Sequence, residues 1–214
     1  YGAIGMCYCR HKKEHLDQSC DKNAPVGEIC ISLGTAAKFM VRRGFAEYRT
    51  QEQLLEVLKR AREFNLTHVT DNIRHKPSFI CNCCSCCCEL LGGVQRGFPL
   101  GIAKSNFTLA IDLESCIGCG LCVKACNVKA LELQPMEGEA KKKKVEVSGE
   151  NCLGCGACIS TCPTGSLGLV AAERPPTPEN KKILFKKILK EKKRLTPFVI
   201  DGIKKGVREK LGMR

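Results

Sequence analysis

Two copies of one cysteine spacing, C-x2-C-x2-C-x3-C, constrain this 214-residue chain more than any other feature. The first is Cys116, Cys119, Cys122 and Cys126; the second, 36 positions on, is Cys152, Cys155, Cys158 and Cys162, followed by Pro163. Thiolates are soft ligands that select zinc, copper(I) or iron–sulfur centres. Two-residue gaps let a tight loop wrap three thiolates around one face of a [4Fe–4S] cube, which presents an iron at each corner. A zinc ribbon instead wants two separated pairs. A disulfide framework belongs to secreted chains, and no segment reads as a signal peptide. Gly118, Gly120, Gly154, Gly156 and Ala157 fit a backbone that turns its N–H groups toward sulfide.

The paired runs resemble those of bacterial two-cluster ferredoxins, in which the fourth cysteine of each run ligates the other cluster. The resemblance implies one cube on Cys116, Cys119, Cys122 and Cys162, and a second on Cys152, Cys155, Cys158 and Cys126. Asn127 stands where that family usually has proline, and asparagine tolerates the turn. The ferredoxin order predicts a strand at 108–111, a ligand loop, a short helix to 130, and a strand at 131–133. A loop at 135–144, a strand at 145–147 and a closing strand at 167–170 complete it. Lys141 to Lys144 would then crown a hairpin tip, a basic knob suited to an acidic redox partner.

Ten further cysteines lie upstream: Cys7, Cys9, Cys20 and Cys30, then Cys81, Cys83, Cys84, Cys86, Cys87 and Cys88. Adjacent cysteines point apart and cannot all enter one core, so some of them bind metal. They could supply one or two further [4Fe–4S] clusters, or one cluster and a zinc. The simplest partition gives the first four to one site and four of the run 81–88 to another; a crossed partition is equally open. The strings around Cys7-Tyr8-Cys9-Arg10, Cys20, Cys30 and Ile80 to Cys88 are similar to those of an anaerobic multi-cluster 4Fe–4S protein family. There such a segment precedes a two-cluster ferredoxin domain. That resemblance covers roughly residues 5–170 and implies electron transfer without naming a substrate. It also implies a helical region ahead of the first cysteines, so a longer protein is expected. His11-Lys12-Lys13-Glu14-His15 satisfies the H-x-x-E-H zinc-protease spacing, but its two lysines and its place among thiols read as a solvated face.

The expected architecture is α+β in three parts: a helical cysteine-rich metal-binding segment at 1–104, a two-cluster ferredoxin domain at 105–172, and a proline linker with a basic amphipathic tail at 173–214. Loops around cysteines are expected through residue 34. A helix is expected from Thr35 to near Gly44, and another after a capping box of Thr50 and Gln53, with Leu54, Leu58, Ala61 and Phe64 as its apolar stripe. No tryptophan and 5% aromatic residues leave a modest core, so metal binding must contribute much of the folding energy. Residues 180–214 hold 13 Lys and Arg against 3 Asp and Glu, hence +10 of the formal +13. Leu195, Val199, Ile203, Val207 and Leu211 continue an amphipathic pattern that Pro197 interrupts, suited to a membrane surface, to a partner subunit or to packing on its own domain. Each oxidised cube carries about −2, so four would reduce +13 to about +5 and remove the motive for nucleic-acid binding.

These readings make the chain an electron-transfer protein or subunit of an oxidoreductase complex. It would pass single electrons between a donor and an acceptor in a reducing, anaerobic cytoplasm, or at the cytoplasmic face of the membrane. No catalytic residue is assigned. The alternatives are an oxidoreductase or activator with a special metal site in the run 81–88, and a redox or metal sensor.

Overall fold

The computed structural model describes residues 1–136, 139–194, 196–197 and 200, with the backbone alone at 139–142. In chain order the upstream half comprises β1 (Gly2–Gly5), α1 (Tyr8–Glu14), β2 (Cys30–Leu33), α2 (Gly34–Arg42), β3 (Ala46–Arg49), α3 (Gln51–Glu63), β4 (Thr67–Thr70), β5 (Phe79–Cys83) and α4 (Glu89–Gln95). It is not a helical segment with loops through residue 34. Five antiparallel strands form one sheet in the order β3-β1-β2-β5-β4. The first predicted helix ends at Arg42, and the chain beyond Gly44 pairs with β1.

Local chemistry accounts for α3. Thr50 accepts from the Gln53 N–H while the Gln53 side chain accepts from the Thr50 N–H, closing the capping box. Val57 and Ala61 are buried, with Leu54, Leu58 and Phe64 packed beside them onto Ile4, Ile29, Ile31 and Leu66. A side chain at Gly5 would meet the Phe45 carbonyl, so β1 carries glycine where β3 approaches.

The paired cysteine runs lie among β6 (Phe107–Ile111), α5 (Leu121–Ala125), β7 (Leu131–Met136), β8 (Glu139–Val147) and β9 (Leu167–Ala171). β6 pairs with β9 and β7 with β8, both antiparallel. Much of the segment read as a loop at 135–144 is strand. Lys143 and Lys144 stand opposite Pro135 and Gln134 rather than at a tip. Lys144 is committed to the fold, donating to the carbonyls of Leu113 (2.5 Å) and Cys116 (2.6 Å).

Backbone contacts divide the chain into two units: Tyr1–Asp71 with Ser78–Pro175, and Asn72–Pro77 with Pro176–Arg214. The first therefore contains all eighteen cysteines. In the second, the N–H groups of Arg74 and His75 donate to the carbonyls of Pro178 and Glu179, and α6 (Lys181–Glu191) starts at an Asn180 cap. Ile183, Phe185 and Ile188 on α6 are exposed. Leu195, Val199, Ile203, Val207 and Leu211 of the expected tail pattern lie outside the described residues. No helix among the described residues is long and apolar enough to cross a membrane.

Candidate metal centres

The two downstream runs surround two small cavities. One is lined by Cys116, Cys119, Cys122 and Cys162 with Gly118 and Gly120. The other is lined by Cys126, Cys152, Cys155 and Cys158 with Gly154 and Gly156. Gly118 and Gly154 have φ of +64° and +63°, and a Cβ on either would collide with a backbone carbonyl, that of Lys143 or Phe107. Each ligand loop thus bends tightly beneath a strand, and only glycine fits. The donors around the sulfurs are in place: Ala130 N–H lies 3.2 Å from Cys126 Sγ, and Thr67 Oγ1 3.6 Å from Cys155 Sγ. Ser166 Oγ lies 3.1 Å from Cys162 Sγ, and with Thr164 lowers that thiol to about 7. Burial pushes Cys158 up to about 12. Four thiols around a glycine-lined hollow fit a [4Fe–4S] cube in each cavity.

The upstream cysteines form two groups drawn from both ends of that half. Cys20, Cys84, Cys86 and Cys87 have all four Sγ atoms within 4.8 Å of one another. Cys20 lies 3.5 Å from Cys84 and 3.7 Å from Cys86, and Cys86 lies 3.7 Å from Cys87. Burial raises Cys84 to about 12 and raises Cys87 as well. Burial also acts upward on Cys20, but the N–H groups of Lys22 and Ala24, with Arg10, outweigh it and bring that thiol to about 7.

The other six thiols shift one another around a circuit: Cys7 with Cys30 and Cys9, Cys30 with Cys81, Cys81 with Cys83, Cys83 with Cys88, and Cys88 with Cys9. The sheet builds this arrangement. Ile31 pairs with Ile80, so one step along the register sets Cys30 beside Cys81, and the strand period puts Cys83 on the same face. Cys7 and Cys88 are the N-caps of α1 and α4. Bonds from their ring neighbours, joined by helix N–H groups, lower these two thiols to about 2. Hydrogen bonds from Cys30 and Cys83 lower Cys81 to about 4, while their partners Cys9, Cys30 and Cys83 are raised.

Two polar residues that carry no metal-ligand signature organise these groups. Arg10 is 1% exposed, and its Nη2 donates to the Asn82 carbonyl (2.9 Å) and to Cys84 Sγ (3.4 Å). Burial opposes the guanidinium charge, but Cys84, Cys7 and Cys20 more than offset it. Asn82, fully buried, points away from the neighbouring cysteines, lies 2.6 Å from His68 Nδ1 and donates to the Ile29 carbonyl at 2.5 Å. The alternation along β5 was the available signal for Asn82; the burial of Arg10 has none in the sequence. His11 and His15 do meet, with Nε2 atoms 3.2 Å apart, but on an exposed face of α1 where Lys12 pairs with Glu89.

Residues 115–166, which hold both downstream runs, are similar to the family described as 4Fe-4S dicluster domain. No curated protein matches the chain.

Proposed function

We propose that this protein carries single electrons between redox proteins through two [4Fe–4S] cubes. The crossed ligand sets are Cys116, Cys119, Cys122 and Cys162 for one, and Cys152, Cys155, Cys158 and Cys126 for the other. Each cube supplies one-electron reduction and reoxidation when bound. The observation that carries the reading is the position of Cys126. It packs in one apolar cluster with Cys116, Cys122, Cys158 and Cys162, and in a second with Cys152 and Cys155. The two sites therefore share a wall, with Leu131, Leu153 and Leu167 keeping water from it.

Access is asymmetric. Cys119 is exposed and Ile117 beside it is 65% exposed, which gives a redox partner a close approach to the first site. The second site is backed by the upstream half, because Cys152 and Cys155 share their cluster with Cys81, Cys83 and Cys88. The upstream thiols then serve as additional metal centres beside the second cube. Donor and acceptor are redox proteins of an oxidoreductase system. The lysines and exposed apolar residues of α6 suit docking on a partner or a membrane face.

Anaerobic iron and labile-sulfide analysis, with EPR of the reduced protein, tests the proposal. Two reducible cubes with magnetically interacting signals are expected, and Cys155→Ser should disturb one and spare the other. A chain that acquires iron and sulfide but cannot be reduced and reoxidised would refute it.

A further inference from the structure

The cysteines of this chain meet in two ways. Each downstream set stands around a hollow. Upstream, Cys20, Cys84, Cys86 and Cys87 bring all four Sγ atoms within 4.8 Å of one another, and among the described residues no other group of three or more cysteine, histidine or carboxylate ligands does so. That spacing is the spacing of a single ion. A tetrahedral centre with metal–sulfur bonds of about 2.3 Å has sulfur–sulfur edges of about 3.8 Å. The contacts of Cys20 with Cys84, Cys20 with Cys86 and Cys86 with Cys87 are 3.5, 3.7 and 3.7 Å.

An iron–sulfur cluster does not fit between these sulfurs. A cube sets each thiolate on its own iron with sulfides between the irons, which drives its four ligands apart. A [2Fe–2S] rhomb keeps two thiolates together on each iron but separates the two pairs. Here any division of the four into pairs leaves at least one direct contact crossing it.

The backbone delivers the ligands from two directions. β5 ends at Cys83, and the turn behind it supplies three of the four, closed by the Cys88 N–H donating to the Cys84 carbonyl at 2.9 Å. Cys20 comes from the loop after α1, where its carbonyl accepts from the Asn23 N–H at 2.8 Å. Four protein ligands close the coordination sphere, as in a structural site rather than one with an open position for substrate.

Charge points the same way, because a buried cation needs an anionic partner. Arg10 is 1% exposed and sets its Nη2 3.4 Å from Cys84 Sγ, while its Nε and Nη1, also buried, have no hydrogen-bond partner. Neutral thiols would leave that guanidinium uncompensated, and four bare thiolates would repel one another. Four thiolates on a divalent ion carry a net −2 and face Arg10 as a counter-charge. Lys22, half-buried two residues past Cys20, donates to the carbonyls of Asn65 (3.2 Å) and Ala125 (3.0 Å). An ion that holds Cys20 therefore also steadies the loop that reaches the residue before Cys126.

We infer that Cys20, Cys84, Cys86 and Cys87 hold one tetrahedral divalent ion of the zinc or ferrous class without inorganic sulfide, a clip between the loop after α1 and the turn after β5. The inference rests on the reading of the upstream thiols as metal centres, and not on the number of cubes downstream.

Native mass spectrometry and labile-sulfide analysis of the full chain, produced anaerobically with iron and zinc supplied, compare the natural protein with Cys86→Ala. The expected result is the loss of one divalent ion from the variant with sulfide unchanged, and the mass lost tells zinc from iron. A fall of about four sulfides per chain would overturn the inference by placing a cube on these thiols. An unchanged metal count would overturn it as well. Where Cys86→Ala does not fold, the natural chain decides: cobalt(II) exchanged into it should give the absorption of a tetrahedral tetrathiolate centre, and absence of those bands would overturn the inference. The two-cube reading fails separately, through a natural chain without sulfide or without reducible EPR signals, whatever Cys86→Ala does to the ion.

Discussion

Asn127, 1% exposed, joins the two halves of the first unit at a position where two-cluster ferredoxins usually carry proline. Its Nδ2 donates to the Asn65 carbonyl (2.8 Å) and Thr67 Oγ1 (2.9 Å), and its carbonyl accepts from Gln95 (3.0 Å). Asn127→Ala should cost about 1–3 kcal/mol, read as a lower denaturation midpoint of the metal-loaded protein, because a buried amide network loses its hub. Ser166→Ala acts on electronics instead. Removing a hydrogen-bond donor from Cys162 should lower the potential of the first cube by on the order of tens of millivolts in a redox titration, with the second unmoved. Arg10→Met removes the positive charge facing the upstream sulfurs, so metal affinity in chelator competition should fall about 10–100-fold. The spacing of the downstream cysteines announced their chemistry because ligand loops are local. The role of Asn127 was invisible, since the partners of its side chain lie 62 and 60 residues away.

Among the elements, the twin ligand loops make the sharpest expectation. Gly154→Ala would drive a methyl group into the Phe107 carbonyl at positive φ, so the second EPR signal should vanish while the first persists; Gly118→Ala should do the reverse. Thr50→Ala should cost about 1 kcal/mol through the lost cap of α3, measured by chemical denaturation. That cap and stripe were readable because six residues within the one segment 50–64 encode them. The five-stranded sheet was not. Four of its strands are only four residues long, and β1 pairs with partners beginning at Cys30 and Ala46. Its remaining strand, β5, hides inside a cysteine run whose composition speaks of metal before it speaks of alternation. The lysines of β8 misled for a related reason: a two-stranded ribbon packs one face, here Leu131 and Val145, on the core and leaves the other free for polar residues, so charge there does not mark a loop.

For the whole molecule, cysteine is a structural amino acid. Cys7, Cys83, Cys84, Cys87, Cys88, Cys116, Cys122 and Cys158 are all buried among the apolar residues of three clusters. Stripping metal leaves thiols or repelling thiolates in their place, so prolonged chelation under anaerobic conditions should abolish cooperative unfolding and the sheet signal in circular dichroism together. The six-cysteine ring also bears on biogenesis. Its members come from residues 7 to 88 and meet only when β2 has found β5 and both helix starts have arrived, whereas each downstream loop gathers three ligands within seven residues. Metal taken up upstream would therefore arrive late and act as an assembly checkpoint, a seal that only a correctly threaded chain can accept.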